Sequence, residues 1–341
     1  MQSIIYARSG SADVLELVDR EIPDVGPGEV RVRIVVSGVN PTDWKSRAGG
    51  ETVLEIEQVP NQDGSGIVDA VGAGVESLGL GDRVWVWDAA FHRPNGTAQE
   101  FVVLPEHQAV RLADGVSFDE GASLGIPAIT AHHALTACGP ERLSPDALAG
   151  QVVLVAGGAG AVGHAAIQLA VWAGATVITT VSGEEKAALA VAAGAHQVIN
   201  YRTENTEAVI RALAPQGINT VVEVNPVANL ALDLRVIARG GLIAIYATDT
   251  TEPLVVPTRE AMSKNAILQF VLTYTVSAEQ KRHAVAAVSA ASAAGVLTVG
   301  SAAGLPLIRF PLAQTADAHR AVEAHVVGKV LIDVTSALPT V

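Results

Sequence analysis

Three glycines in the middle of the chain have the spacing that handles phosphate. In Gln151-Val-Val-Leu-Val-Ala-Gly-Gly-Ala-Gly-Ala-Val-Gly-His164 an apolar run leads into Gly158, Gly160 and Gly163, spaced G-x-G-x-x-G, and a helical segment over 161–173 follows directly. On this spacing the first glycine makes a tight turn, the second lets the backbone approach a pyrophosphate, and the third lets helix pack on strand. The helix N-terminus adds free N–H groups and the positive end of a dipole. Such a motif alone is a weak signal in a chain with 32 glycines. Its place between a strand and a helix makes it a dinucleotide-binding turn.

The next chemistry lies at the end of the following strand, about twenty residues on. An Asp or Glu there would hold the ribose 2′-hydroxyl of NAD. The chain has Val181-Ser182-Gly183 instead, and the first cation beyond is Lys186. A hydroxyl and an ammonium welcome a 2′-phosphate that a carboxylate would repel, so the site is read as NADPH-selective. Glu184 and Glu185 start the next helix and are expected to face its dipole and solvent.

The elements that must position these residues fall into two rhythms. From 4 to 124 the chain is short Val/Ile-rich runs cut by Gly, Pro and Asp, as in Val30-Arg-Val-Arg-Ile-Val-Val36 and Arg83-Val-Trp-Val-Trp87. Turn signals recur about every ten residues, as in a small barrel-like β domain. A polar, helix-compatible insert over 40–58 carries Thr42, Asp43, Trp44 and Lys45. From Gly125 strand and helix alternate: strands over 151–155, 176–181, 197–199, 220–224, 242–246 and 267–272, and helices over 161–173, 184–193, 204–213 and 227–238. Six strands in two βαβαβ halves make a doubly wound parallel sheet. The tail loses this alternation, and its last strand-like run, Val330-Leu-Ile-Asp-Val334, is expected to return to the β domain. The domains are therefore 1–125 with 296–341, and 126–295.

Composition bounds the partners. The 341 residues suffice for two cores, and a net charge of −13 disfavours nucleic acid or an acidic membrane surface. One cysteine, Cys138, excludes an internal disulfide and suits a reducing cytoplasm. The start has no basic region followed by an apolar core, and no run has the sustained Leu/Ile/Phe content of a spanning helix, so a cytoplasmic protein is expected.

Over essentially its whole length the chain resembles the zinc-free quinone oxidoreductase (zeta-crystallin-like) branch of the medium-chain dehydrogenase/reductase superfamily. The resemblance is carried by Gly38-Val-Asn-Pro-Thr-Asp43, Gly66-Ile-Val-Asp-Ala-Val-Gly72, Gly81-Asp-Arg-Val84, Gly121-Ala-Ser-Leu-Gly-Ile-Pro-Ala-Ile-Thr-Ala131, the glycine turn, Glu185-Lys186, Gly194-Ala195, Asn200-Tyr201, Gly240-Gly241 and Gly328-Lys329. It implies an α/β protein: a GroES-like β-barrel catalytic domain plus a Rossmann doubly wound parallel sheet, with the active site in the cleft between them. It implies that Ser182, Lys186 and Tyr201 hold the 2′-phosphate and adenosine ribose, and that Gly160, Ala161, Val162 and Gly163 form the pyrophosphate loop after Gly158. Thr130 stands beside the nicotinamide. Asn225, Ala247, Phe270, Val271 and Leu272 wall its ribose and carboxamide, and Lys329 lies near the cofactor. Asn40 and Asp43 line the substrate end. Relatives pair through the edge strands of their nucleotide sheets, which implies a homodimer through 267–275.

Two departures matter. Zinc-dependent members place Cys at or near Gly38 and Gly-His-Glu where this chain has Gln62-Asp63-Gly64, so no metal site is expected. His132 and His133, adjacent on a helix, point to different sides and do not share a metal. Without a Lewis acid the alkoxide of a simple ketone or alcohol lacks a strong stabiliser, and a quinone, enone or enal needs one less. The second departure is Lys45, where many quinone reductases of the branch carry Tyr. Facing the nicotinamide, Lys45 would stabilise an enolate or deliver a proton. Otherwise it is a surface lysine covering Trp44, or a partner of Asp43 or Glu51. Three functions stay open: an NADPH-dependent quinone oxidoreductase, an enoyl or alkenal reductase using Lys45, and a non-catalytic NADPH-binding sensor or structural protein.

Overall fold

The computed structural model describes residues 1–50 and 52–335. The chain divides into two compact units, Met1–Ile126 with Pro306–Val341, and Pro127–Leu305. Residues 296–305, expected with the first domain, belong to the second unit.

The first unit is built on the strand Glu29–Val39, whose alternate residues Val30, Val32 and Ile34 are fully buried. It pairs antiparallel with Asp63–Val71, Phe101–Pro105 and Lys329–Asp333. Leu307–Pro311 runs parallel beside Lys329–Asp333. The whole forms a seven-stranded sheet, with a separate three-stranded sheet from Gln2–Arg8, Glu16–Asp19 and Val53–Gln58. The returning tail thus pairs Val330 with Val39, which brings Lys329 to the start of the short helix Pro41–Arg47. Part of the 40–58 insert is strand rather than helix: Val53–Gln58 adds to the edge of Gln2–Arg8.

In the second unit six strands, all parallel, lie in the order third, second, first, fourth, fifth, sixth. That is the doubly wound order. The central strand Val152–Ala156 is apolar on both faces because helices cover both, and Ile218–Glu223 beside it is buried at every residue but Asn219. Boundaries differ where caps or chain pairing outweigh periodicity. The helix expected from Glu204 begins at Thr206, because the Asn205 carboxamide oxygen accepts the Ala208 N–H. The fifth strand starts at Ile237, so the preceding helix stops at Val236. The sixth, Ile267–Phe270, ends before Val271 and Leu272.

Candidate functional site

The glycine turn follows the strand Val152–Ala156 and opens the helix Ala161–Trp172. The left-handed turn falls on Gly157, at φ +71°, one residue before the glycine to which the spacing gave it. Gly158 is required for another reason: a Cβ there would lie 2.2 Å from Thr179 Oγ1 on the neighbouring strand. A Cβ at Gly163 would lie 2.4 Å from the Gly157 carbonyl, so helix and turn touch backbone to backbone. Gly160 differs. Its φ of −82° suits any residue, and a Cβ would meet nothing nearer than 3.5 Å. It is exposed, and the first-turn N–H groups of Ala161, Val162 and Gly163 have no intrahelical partner. This open, donor-rich mouth fits a pyrophosphate.

Adjacent strand ends carry the residues read for the 2′-phosphate. Ser182 follows the strand Thr176–Val181, Tyr201 follows Gln197–Asn200, and the Tyr201 N–H donates to the Val181 carbonyl at 3.1 Å. Lys186 lies in the first turn of Glu184–Ala192, half-buried, while Glu184 and Glu185 are exposed. At the other end of the sheet Ala247, Phe270, Val271 and Leu272 border one groove of about 680 Å³ together with Pro226, the residue after Asn225. Thr130 is buried in the helix Phe118–Thr136, which spans the boundary between the units.

In the first unit Asn40, Asp43 and Lys329 form one buried network with Asp63. Lys329 Nζ donates to Asn40 Oδ1 at 2.7 Å and to the Val39 carbonyl at 3.2 Å, and stands 3.9 Å from Asp63 Oδ2. Asn40 Nδ2 donates to Asp63 Oδ2 at 2.7 Å. Asp63 also accepts from the Ile126 N–H. Asp43, at the third position of the helix Pro41–Arg47, accepts from the Asn40 N–H at 2.6 Å and the Gln62 N–H at 3.1 Å. All four side chains are at least 96% buried, being 4% exposed or less. Two carboxyls share one ammonium out of water, so the second charge is resisted. Burial raises Asp63 to about 6, and burial together with the Asp63 charge lifts Asp43 well above the carboxylate range. Burial lowers Lys329 against the pull of both.

Asn40 and Asp43, expected to line the substrate end, therefore have their polar atoms engaged inside the unit. Lys329, expected near the cofactor, is the ammonium that completes their network. Asp63 is not among the functional residues expected from the sequence, although it lies in Gln62-Asp63-Gly64, where a metal ligand set is replaced. That substitution was the available signal. Zinc does not fit: a Cβ at Gly38 would lie 2.2 Å from the Ala122 carbonyl, which leaves no room for a cysteine, and an ammonium sits beside Asp63. His132 and His133 are both buried, with rings T-shaped at 5.6 Å. Lys45 is exposed, its ammonium 5.8 Å from the centre of the Trp44 ring. Glu51, the other partner considered for it, lies outside the described residues.

The family described as alcohol dehydrogenase GroES-like domain matches residues 26–114, and that described as zinc-binding dehydrogenase matches 161–290. A quinone oxidoreductase of Sus scrofa is 30% identical over 326 residues, covering 94% of this chain and 93% of its own. Among solved structures, an NAD-dependent alcohol dehydrogenase aligns with TM-score 0.86 and 28% identity, over 98% of this chain and all of that one. The mycobacterial protein Rv1454c complexed with NADPH aligns with TM-score 0.81 and 29% identity, over 97% and 99%.

Proposed function

Because the chain belongs to the medium-chain dehydrogenase/reductase superfamily, we propose that it is a zinc-independent, NADPH-dependent quinone oxidoreductase. The observation that carries the cofactor reading is Gly160, where neither backbone angle nor packing asks for glycine and only the approach of a ligand does. Similar proteins of like fold are described with NAD and with NADPH. The strand end Val181-Ser182-Gly183 carries no carboxylate, and Ser182 with Lys186 favours NADPH here.

Bound NADPH would supply a hydride to an acceptor that spreads its own negative charge. The chain's residues hold and orient: the glycine loop takes the pyrophosphate, Ser182, Lys186 and Tyr201 the adenosine end, and Asn225, Ala247 and 270–272 the nicotinamide end beside Thr130. The buried network of Asn40, Asp43, Asp63 and Lys329 fixes the start of the helix that carries Thr42 and Lys45, and it keeps a proton at Asp43 near neutral pH. A quinone suits this site because the acceptor needs no metal to stabilise its charge. The exposed edge strand Ile267–Phe270 supports a homodimer.

NADPH oxidation followed at 340 nm against 1,4-benzoquinone, 9,10-phenanthrenequinone, an alkenal and crotonyl-CoA tests the reading, with NADH as control. Turnover of quinones with NADPH and not NADH is expected. Turnover of the alkenal or thioester alone would replace it with a double-bond reductase centred on Lys45, and NADPH binding without any turnover with a sensor.

A further inference from the structure

The strand end beside Asn225 hides a pair of carboxyls. Glu223 closes the strand Ile218–Glu223 fully buried, and Asp233, on the helix Pro226–Val236, is 2% exposed. Asn225, Asn229 and Asp233 recur every four residues, so one face of this helix and its cap turns toward Glu223. Glu223 Oε1 accepts from the backbone N–H of Asn225 and from Asn229 Nδ2 at 3.0 Å. Glu223 Oε2 and Asp233 Oδ2 are both buried, with no donor from another side chain or backbone group among the described residues.

The surrounding charges do not neutralise the pair. Tyr246, just past the strand Ile237–Ile245, feels Glu223 and Asp249, which add only negative charge. On the helices packed against Pro226–Val236, Glu207 is engaged by Arg211 and Arg235, and Lys264 by the Ile237 carbonyl. Arg259 and Glu260 complete the charges of the helix Thr258–Lys264. Two carboxyls so placed cannot both ionise, and one proton between them satisfies both facing oxygens. Burial and the neighbouring carboxylate push Asp233 well above the usual range, and burial raises Glu223.

We infer that Glu223 and Asp233 share one proton and act together as a positioning device for the nicotinamide end of the cofactor site. The shared proton holds Glu223 in place, and its Oε1 fixes the turn that presents Asn225. Removing the proton in alkali sets two carboxylates against each other and releases that turn. The inference rests on the reading of Asn225 given above.

The test is the NADPH dissociation constant, from cofactor fluorescence, across pH for wild type, Asp233→Asn and Glu223→Gln. Each isostere keeps one N–H donor between the two side chains and removes the titrating proton. Wild type should lose affinity about tenfold or more between about pH 7 and about pH 10, while both variants stay within about threefold of their neutral values. Any pH effect that does not arise from the pair is common to all three proteins, so the difference between curves isolates the pair. A folded variant that keeps the wild-type alkaline limb would overturn the inference. So would failure of both isosteres to fold, which would make the pair a requirement of the core alone. Wild type that does not bind NADPH at neutral pH would instead sink the cofactor reading itself.

Discussion

At the scale of single residues, the chemistry of the first unit is set by a count of charges. Among the described residues, Lys329 is the only ammonium facing Asp63 and Asp43 in their buried network. Met at this position takes away the charge that holds Asp63 down against its burial, and breaking a buried pair in this way costs about 3–5 kcal/mol. Lys329→Met should unfold at distinctly lower urea concentration than wild type, and an unchanged midpoint would show that the network is not held by its cation. The two carboxyls also predict a pH dependence of unusual sign. Both folded-state values lie above the unfolded value of 3.8, Asp63 at about 6 and Asp43 higher still. Their contribution is fully present below the unfolded value and is lost as pH rises through the folded ones. Lys329, lowered in the folded state, runs the other way, one group against two. The melting temperature of wild type should therefore fall between about pH 5 and about pH 8, and that of Asp43→Asn should fall less. Parallel curves for the two proteins would remove Asp43 from the account.

At the scale of elements, the glycine loop separates folding from binding within four residues. Gly163→Ala forces a Cβ to within 2.4 Å of the Gly157 carbonyl, so the helix Ala161–Trp172 must lift from its turn. Overpacking of this kind costs about 1–3 kcal/mol and should lower the melting temperature as well as NADPH affinity. Gly160→Ala meets no such contact and should melt like wild type while binding NADPH at least about tenfold more weakly. If Gly160→Ala binds normally, the loop does not receive a pyrophosphate there.

The same loop shows what was legible in the sequence. Strand, glycines and helix could be placed from residue types, because local apolar pattern and glycine spacing act within about fifteen residues. That Gly158 is needed for its close approach to Thr179, on another strand, is carried by no local pattern. The strands of the second sheet are readable as apolar runs, whereas the ends of elements are moved by caps and by pairing, as at the helix start after Asn205 and the strand start at Ile237. The Asp63–Lys329 contact joins residues 266 positions apart in the chain and exists only because Lys329–Asp333 pairs with Glu29–Val39. Lys329 was marked by resemblance, and its partner was not.

At the scale of the whole molecule, the two edges of the second sheet are unlike. Both are four residues long, but Gln197–Asn200 turns its one fully buried residue, Ile199, inward. Ile267–Phe270 leaves Ile267 40% and Phe270 64% exposed, with Leu272 and Met262 exposed beyond it. An unpaired strand edge beside contiguous apolar side chains is a template for a second chain, and two copies related by a twofold axis satisfy each other's backbone groups. Light scattering on a sizing column should then give twice the 35.0 kDa of one chain. Ile267→Lys places a charge on the edge without touching the groove bordered by Phe270, Val271 and Leu272. It should shift the protein to the mass of one chain and leave NADPH affinity unchanged. A wild type of one-chain mass at micromolar concentration would leave this edge to another partner. A variant that stays dimeric would move the interface elsewhere on the surface.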